Sequence, residues 1–309
     1  MAVHKSVYEH IRENNWKTAL LVALFPIIFI ALVFFFVWIV APLRTALETT
    51  AMVAMPTIIA CLIWMLISWL FGDSMMLSSA GAREIFEDEK EYKQVFRSVE
   101  NVALAAGLPT PRVYIINDDS LNAFATGRNP NDASIALTSG IIKKLDKLEL
   151  EGVIAHEMAH IGNRDIRLDM LLITGIGVTV FAADIILRMA ISGTGSRDEK
   201  NNTGAILLMV WLAFAVFNFF ITPLLRMAVS RKREFAADAT GAFITRNPHA
   251  LASALEKISC DSRVEVLDKR KSMAVACIAS PLAGAREFFG DVFATHPKTE
   301  ERIKRLNNM

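Results

Sequence analysis

Long apolar runs alternate with charged stretches along this chain, and each run has the length of a membrane-crossing helix. The run Thr18–Val40 contains no charged residue. As a helix rising 1.5 Å per residue it would be about 35 Å long, which exceeds the roughly 30 Å hydrocarbon layer. Ala51–Phe71 is a second run, with Trp64 and Trp69 towards its far end, where interfacial aromatic residues belong. The pattern predicts four transmembrane helices, at about 18–40, 51–71, 168–191 and 205–225.

The third run differs from the others because it carries charge. Asp184 and Arg188 stand four residues apart, so they can pair on one face of a helix. A polar site inside the membrane and a neutralised pair near the interface both explain this pattern, and we favour the neutralised pair. The sequence leaves open whether 168–191 crosses the bilayer fully or lies on its surface.

Lysine and arginine residues near the ends of the runs predict the orientation of the chain. They concentrate before the first run, after the second and after the fourth, whereas the turn between the first two runs holds only Arg44. Because positive segments stay on the cytoplasmic side, both termini and the segment 72–167 are predicted to be cytoplasmic. The basic residues are Lys5, Arg12 and Lys17; Arg83, Lys90, Lys93 and Arg97; and Arg226, Arg231, Lys232 and Arg233.

A segment of different character follows the second run. Glu84–Ala106 has the pattern of an amphipathic helix, and Arg112–Ile116, Asn122–Thr126 and Ser134–Thr138 have the pattern of short strands. We therefore predict a mostly α membrane protein with a cytoplasmic α+β domain that contains a small sheet of about three strands. The predicted parts are a membrane hairpin over 1–72, a soluble part over 73–167, a second membrane hairpin over 168–225 and a soluble part over 226–309.

Composition narrows the classes of function. The 33 basic and 32 acidic residues leave a net charge of +1, so no basic field exists to attract nucleic acid, and we expect no nucleic-acid partner. The three cysteines, Cys61, Cys260 and Cys277, are widely spaced, which argues against a disulfide framework and against a cysteine metal site. A metal would have to be held by histidine, aspartate or glutamate.

A histidine pair marks the next predicted helix. Asp146 can cap the start of this helix, with Glu149 three residues on as in a capping box. His156 and His160 share one helix face, so both imidazoles can reach one zinc ion. Glu157 then lies beside the metal position, placed to take a proton from water. Two surface or capping histidines are the alternative interpretation of this H-E-x-x-H sequence.

A catalytic zinc needs a third protein ligand. Asn163 and Ile166 occupy the positions where the metzincin pattern requires glycine and histidine. The charged residues around the motif argue against a site inside the membrane. Beyond the fourth run, Glu234 and Asp238 stand four residues apart on one helical face. Glu234 as a ligand, with Asp238 orienting a ligand histidine through its second ring nitrogen, completes the site that the chemistry requires.

These motifs resemble the HtpX family of membrane-bound zinc metalloproteases, which are gluzincins related to the CAAX prenyl endopeptidases. The resemblance implies a zincin-like metalloprotease domain, one Zn²⁺ per chain held by His156, His160 and Glu234, and Glu157 as general base. It also implies a multi-pass protein of the cell (inner) membrane with a cytoplasmic active site, which degrades misfolded or damaged membrane proteins. The matching segments are Asn122–Gly127, Ala155–Ile161 with Asn163 and Asp165, Ser230–Asp238, Thr295–Pro297 and Glu300–Ile303.

Two further contributions to catalysis are expected. His296 is our candidate for a donor to the developing oxyanion, because the Thr-His-Pro turn recurs in the resembling family; a helix-capping turn before 298–306 is an equal alternative. An extended substrate could pair with a free strand edge, at either Ser134–Thr138 or Asn122–Thr126. Asn122 itself is interpreted as a turn residue rather than a catalytic group.

Two other classes of function compete with the protease. A membrane scaffold could keep zinc for structure without cutting, and a transporter could use Asp184 and Arg188. A structural zinc site is normally closed by four protein ligands, whereas three candidates are found here and Glu157 is present, which favours the enzyme. We expect polypeptide substrates, above all membrane proteins, and contact with the lipid bilayer. A homo-oligomer is compatible with the sequence.

Overall fold

The computed structural model describes residues 43–193, 203–217, 231–260 and 299–309, together with isolated positions between 16 and 38. The chain divides into two compact units. One unit comprises residues 1–14, 71–170 and 229–309, and the other comprises residues 15–70 and 171–228. The first unit contains the sheet and the H-E-x-x-H helix, so it positions the candidate site.

Helices make up most of the described residues, and a group of short strands falls between residues 82 and 138. This confirms the prediction of a mostly helical chain with a small sheet. The elements in chain order are α1 (Leu43–Ser79), β1 (Ala82–Ile85), α2 (Lys93–Ala106), β2 (Arg112–Ile116), β3 (Ala123–Gly127), a 3₁₀ turn (Pro130–Asp132), β4 (Ala133–Thr138), α3 (Ser139–Lys144), α4 (Lys147–Gly162), α5 (Asp165–Gly193), α6 (Thr203–Val216), α7 (Arg231–Thr245), α8 (Pro248–Cys260) and α9 (Thr299–Asn307).

Among the described residues, one helical segment is long and apolar enough to cross a membrane. It is Leu62–Ser79 within α1, with a mean hydropathy of 1.3, and Leu207–Val216 in α6 is apolar but shorter. Most of the first predicted span and residues 218–225 of the fourth lie outside the described residues. Four transmembrane helices therefore stay a prediction. Within α5, Nε of Arg188 donates a hydrogen bond to Asp184 at 2.7 Å, the pairing that their spacing predicts.

The sheet has four strands in the order β1-β2-β4-β3. β2 and β4 pair in parallel, and β1 and β3 add antiparallel strands at the two edges. The prediction of three strands located β2, β3 and β4 but missed β1. The helix predicted over Glu84–Ala106 is wrong in its first part, because Glu84 and Ile85 belong to β1 and α2 begins at Lys93. Ile85 is buried in the core and the Tyr114 hydroxyl lies 3.1 Å from Glu84, so tertiary packing overrides a locally helix-like pattern.

The strand order decides which strand has a free edge. β4 is paired on both sides, which excludes Ser134–Thr138, whereas β3 is an edge strand of the described sheet. The backbone N–H of Thr138 donates to the carbonyl of Asn122 at 3.1 Å, and hydrogen-bonded pairs alternate along the ladder from there. The backbone groups of Ala123 and Ala125 therefore point away from β4, towards the free edge.

The helix α4 lies at the centre of the first unit. It is buried from Gly152 to Ile161 and packs against α2, α7, α8 and β3. A helix surrounded in this way is mostly apolar, and the polar residues of this stretch, His156, Glu157 and His160, are buried with it. At Gly152 the backbone of Leu251 in α8 comes within 3.2 Å of the position that a Cβ would occupy, so only glycine permits this approach without a shift. The histidine pair consequently lies inside the fold rather than on its surface.

Candidate metal centre

The helix that carries the histidines begins at a capping box. The Asp146 carboxylate accepts a hydrogen bond from the N–H of Glu149, and the Glu149 carboxylate accepts one from the N–H of Asp146, both at 2.9 Å. This confirms the predicted start of the helix. Glu149 also accepts hydrogen bonds from Ser253 and Lys257 of α8, both at 2.7 Å. These bonds tie the first turn of α4 to α8, so the helix is anchored two turns before the histidines.

Three buried side chains converge on one point between α4 and α7. The Nε2 atoms of His156 and His160 lie 3.2 Å apart. Glu234 places one carboxylate oxygen 3.5 Å from Nε2 of His156 and the other 3.5 Å from Nε2 of His160. The three residues are 4%, 6% and 3% exposed, respectively. The alternative interpretation of two surface histidines is therefore wrong.

The spacing of these atoms can be tested against metal coordination. Tetrahedral ligands at 2.0–2.1 Å from an ion lie about 3.3–3.4 Å from one another. The Nε2 atoms lie 3.2 Å apart and each lies 3.5 Å from a different oxygen of Glu234. With one ligand atom taken from each residue, the three atoms lie within 4.8 Å of one another and could hold a metal ion after a small adjustment. Two imidazoles and one carboxylate, with a fourth position left to solvent or substrate, are a donor set typical of catalytic zinc. The residues present fit the ion.

Glu234 reaches the histidines because α7 lies very close to α4. Gly241 stands two turns after Glu234 on the same side of α7. A Cβ at Gly241 would lie 3.0 Å from the backbone nitrogen of His156 and 3.3 Å from the carbonyl carbon of Ala155. A larger residue would push the two helices apart by a few tenths of an ångström, so this glycine sets the separation of the donor atoms.

His156 is held at its other ring nitrogen by Asp238. The carboxylate of Asp238 lies 3.0 Å from Nδ1 of His156, the contact that the sequence predicts. Burial alone would raise the pKa of Asp238, but hydrogen bonds with Arg302 and His156 outweigh it and hold the pKa at about 2. Asp238 is therefore ionised at neutral pH. It accepts the proton on Nδ1, which leaves Nε2 to face the other donor atoms.

His160 has an equivalent partner to which sequence reasoning gave no role. The carboxylate of Asp165, the first residue of α5, lies 2.8 Å from Nδ1 of His160. Burial alone would lower the pKa of His160, but the hydrogen bond with Asp165 and the charge of Glu234 outweigh it and raise the pKa to about 9. In the metal-free site His160 is therefore charged at neutral pH, with a proton on each ring nitrogen. The sequence signal that could have identified this partner is the carboxylate residue five positions after His160.

Two buried arginines face these carboxylates. Arg302 of α9 donates to both oxygens of Asp238, at 2.8 and 2.7 Å. Arg233 of α7 donates to both oxygens of Asp169, at 2.9 and 3.0 Å, and lies 3.7 Å from Asp165. Sequence reasoning assigned neither arginine to the site, because each stands among charged residues that look solvent-exposed. The positive charges offset the buried carboxylates around the donor atoms.

The remaining predicted residues have different outcomes. Glu157 follows His156 in α4 and is 5% exposed, so it is enclosed with the donor cluster. Asn122 precedes β3; its side chain accepts a hydrogen bond from the N–H of Ala123 at 2.9 Å, and its own N–H donates to the Thr138 hydroxyl at 3.1 Å. These contacts fit the interpretation of Asn122 as a turn residue. His296 lies outside the described residues.

A buried pair of histidines and a glutamate that can hold one metal ion, with a further glutamate in an H-E-x-x-H helix, define a metalloprotease. Comparison with known protein families agrees with this class. Peptidase family M48 matches residues 89–309. The chain therefore belongs to peptidase family M48.

Individual relatives extend the match beyond the family region. A protease HtpX homolog of Thermoanaerobacter pseudethanolicus is 41% identical, and the match covers 99% of this chain and 98% of the relative. A protease HtpX homolog of Bacteroides fragilis is 38% identical over 95% of this chain and 96% of the relative. The resemblance to the HtpX family is thus confirmed. Among solved structures, S. mikatae Ste24p matches with a TM-score of 0.44 and 16% identity, covering 94% of this chain and 66% of that chain.

Proposed function

We propose that this protein is a zinc endopeptidase, with one Zn²⁺ per chain held by His156, His160 and Glu234. The observation that carries the proposal is the convergence of three buried side chains: the two Nε2 atoms lie 3.2 Å apart, and each lies 3.5 Å from a different carboxylate oxygen of Glu234. Asp238 and Asp165 keep the proton of each histidine on Nδ1, so both Nε2 atoms are available as ligands. When bound, zinc polarises the scissile carbonyl and activates water for attack.

Glu157 is the general base in this proposal. Its carboxylate accepts the proton of the attacking water and passes it to the nitrogen of the leaving amine as the C–N bond breaks. Its place next to His156 in α4 and its burial at 5% exposure support this role, because bulk water has little access to compete for the proton. His296 remains our candidate for the group that donates a hydrogen bond to the developing oxyanion.

A chelation experiment tests the function directly. The purified chain, stripped with chelator in detergent, should not cut an unstructured protein such as casein. Adding one equivalent of Zn²⁺ should restore cleavage, while Mg²⁺ should not, because imidazole ligands favour zinc over hard cations. Zinc-independent cleavage, or one bound zinc without any cleavage of unfolded substrates, would contradict the proposal.

Zinc affinity should rise with pH up to about pH 9, by at least about tenfold per pH unit, because the pKa of His156 is raised as well as that of His160. The pKa of His160 in the metal-free site is raised to about 9, so below that pH its proton must leave before zinc binds. Affinity is therefore lost as the pH falls and reaches a plateau above the pKa. Competition with a chromophoric chelator at several pH values measures this slope. Asp165→Asn removes the carboxylate that stabilises the charged form of His160, so zinc affinity should stop rising at a lower pH in this variant. If the zinc affinity of the parent does not change with pH, His160 is already neutral.

We infer that an extended substrate pairs with the free edge of β3. The edge strand packs against α4, the helix that carries the donor atoms. Ala123 and Ala125 direct their backbone groups away from β4, as their positions in the ladder require. Main-chain pairing of this kind accepts many side chains, which suits a protease that acts on unfolded segments.

Ala125→Pro should lower kcat/KM for an unfolded substrate by about tenfold, mostly through KM. Proline removes an N–H that points to the free edge, and an edge strand tolerates it. Phe124→Pro provides the contrast, because the N–H of Phe124 faces β4, so that substitution should lower the unfolding temperature instead. If Ala125→Pro keeps both the parental kcat/KM and the parental unfolding temperature, the substrate does not pair at this edge.

We place the protein in the cell (inner) membrane, with its active site in the cytoplasm and misfolded or damaged membrane proteins as substrates. The apolar segment Leu62–Ser79 and the distribution of lysine and arginine around the apolar runs support this location. The test is a reconstituted vesicle that contains the protease and one membrane protein, either folded or heat-damaged. Faster zinc-dependent cleavage of the damaged form is expected, and equal rates would contradict the quality-control role.

A further inference from the structure

Arg302 is 1% exposed, although it belongs to α9, a short helix that is otherwise rich in charged surface residues. Arginine is almost never buried to this degree unless its guanidinium is paired. The neighbouring Arg305, one turn along the same helix, is exposed and pairs with Glu301 at 2.7 Å. The burial of Arg302 must therefore be explained by its contacts with other helices, because the composition of α9 does not explain it.

The guanidinium of Arg302 forms two hydrogen bonds with a single carboxylate. Nε and Nη2 donate to the two oxygens of Asp238 at 2.8 and 2.7 Å, which is the bidentate geometry that arginine forms with carboxylates. Nη2 also lies 3.4 Å from Nδ1 and 3.3 Å from Nε2 of His156, both longer than the two bonds to Asp238. The distance from Nη1 to Glu234 is 3.6 Å, too long for a hydrogen bond. The main action of Arg302 is therefore on Asp238.

Asp238 is in turn the group that touches His156 at Nδ1, at 3.0 Å. The three residues form a chain that runs from α9 through α7 to α4. Two parallel hydrogen bonds fix both the position and the plane of a carboxylate, whereas one bond leaves it free to rotate. The plane of the Asp238 carboxylate decides whether one oxygen stays in line with Nδ1.

We propose that Arg302 is a positioning residue of the metal centre: it holds the Asp238 carboxylate against Nδ1 of His156, so that Nε2 of His156 stays turned towards the metal. This inference rests on the proposed function, in which His156 is a ligand. It also means that the centre is completed by the C-terminal helix, because Arg302 lies 146 positions after His156 in the chain. The partner of His160 at Nδ1 is Asp165, which lies 3.7 Å from Arg233 of α7.

The first test measures zinc affinity of the full chain by competition with a chromophoric chelator. Arg302→Gln should weaken zinc binding by about 10–100-fold, the range typical for partners of ligand histidines. Arg302→Lys, which keeps the charge but offers no fork, should fall between Arg302→Gln and the parent. The matched control is Arg305→Gln on the same helix, which should stay within about twofold of the parent. Parental affinity in Arg302→Gln would overturn the proposal.

A second measurement needs no metal, so it decides the proposal even if the parent binds no zinc and the proposed function fails. In the metal-free chain labelled with ¹⁵N-histidine, the Nδ1 proton of His156 should give a slowly exchanging signal, assigned by its absence in His156→Asn. The signal should persist in Arg305→Gln and disappear in Arg302→Gln. Its persistence in Arg302→Gln would show that Asp238 holds the histidine without help.

A double variant separates positioning from a general effect on folding. Because Arg302 acts through Asp238, Asp238→Asn combined with Arg302→Gln should bind zinc no more weakly than Asp238→Asn alone. The comparison is made between two variants that lack the same carboxylate, so a shared loss of stability cancels. A further tenfold loss of affinity in the double variant would show that Arg302 acts by another route and would overturn the proposal.

Discussion

Glu157→Gln should lower kcat for peptide hydrolysis by about 10³-fold or more while leaving zinc binding unchanged. General base catalysis contributes about 10²–10⁴-fold, and glutamine keeps the size of glutamate but cannot accept the proton. Glu157 is 5% exposed in a centre that encloses the donor atoms, so solvent cannot easily replace it. Casein cleavage at saturating zinc measures kcat, and metal analysis of the same sample gives the stoichiometry.

The control for this substitution lies on the same helix. Glu151 precedes the histidines in α4, is only partly buried, and forms an ion pair with Lys147 at 3.8 Å. Glu151→Gln should therefore keep the parental kcat. If Glu157→Gln retains more than a tenth of the parental kcat, the base lies elsewhere. If it loses zinc instead, Glu157 contributes to metal binding rather than to proton transfer.

The sequence was sufficient for those parts of the centre that depend on a single helix. The capping box of Asp146 and Glu149 involves residues one turn apart, and both of its hydrogen bonds form. His156 and His160 are four apart, so any helix through them places both rings on one face. These rules hold regardless of the rest of the fold, because they concern distances within one or two turns.

The parts that depend on how distant segments pack were missed. Arg302 stands in the sequence Glu300-Glu-Arg-Ile-Lys-Arg305, which has the composition of a solvated helix. Only the packing of α9 against α7 and α8 shows that this one arginine is buried. Strand β1 was missed for the same reason, because Glu84 and Ile85 gain their extended conformation from pairing with β2. No local pattern encodes such contacts.

Glu234 is the intermediate case. Alone, its spacing from Asp238 is a weak signal, because most such pairs are solvated helix faces. It became a candidate because zinc chemistry requires a third ligand and because two apolar runs were expected to return the chain to the same side of the membrane. The structure adds a physical reason that sequence reasoning did not contain, which is the close approach of α7 to α4 at Gly241.

Glu234→Gln should therefore weaken metal binding far more than folding. Apparent zinc-binding free energies of 10–16 kcal/mol shared over four ligands give about 2.5–4 kcal/mol per ligand, so affinity should fall by about 10²–10³-fold. The metal-free protein should lose less stability than this, although glutamine gives up the charge interactions of Glu234 with His160 and with Arg302, which lies 3.6 Å away.

The unfolding temperature with and without zinc measures both effects in one experiment. A ligand that binds only the folded state stabilises it by about 2.7 kcal/mol at a concentration of 100 Kd, so zinc should raise the unfolding temperature of the parent. At the same zinc concentration the rise should largely vanish in Glu234→Gln and persist in Glu256→Gln, a change on α8 away from the donor atoms. If Glu234→Gln keeps the full zinc-dependent rise, the third ligand is another residue. If Glu234→Gln lowers the unfolding temperature without zinc by as much as it lowers the zinc-dependent rise, the main role of Glu234 is to pair with the buried cations around it rather than to bind the metal.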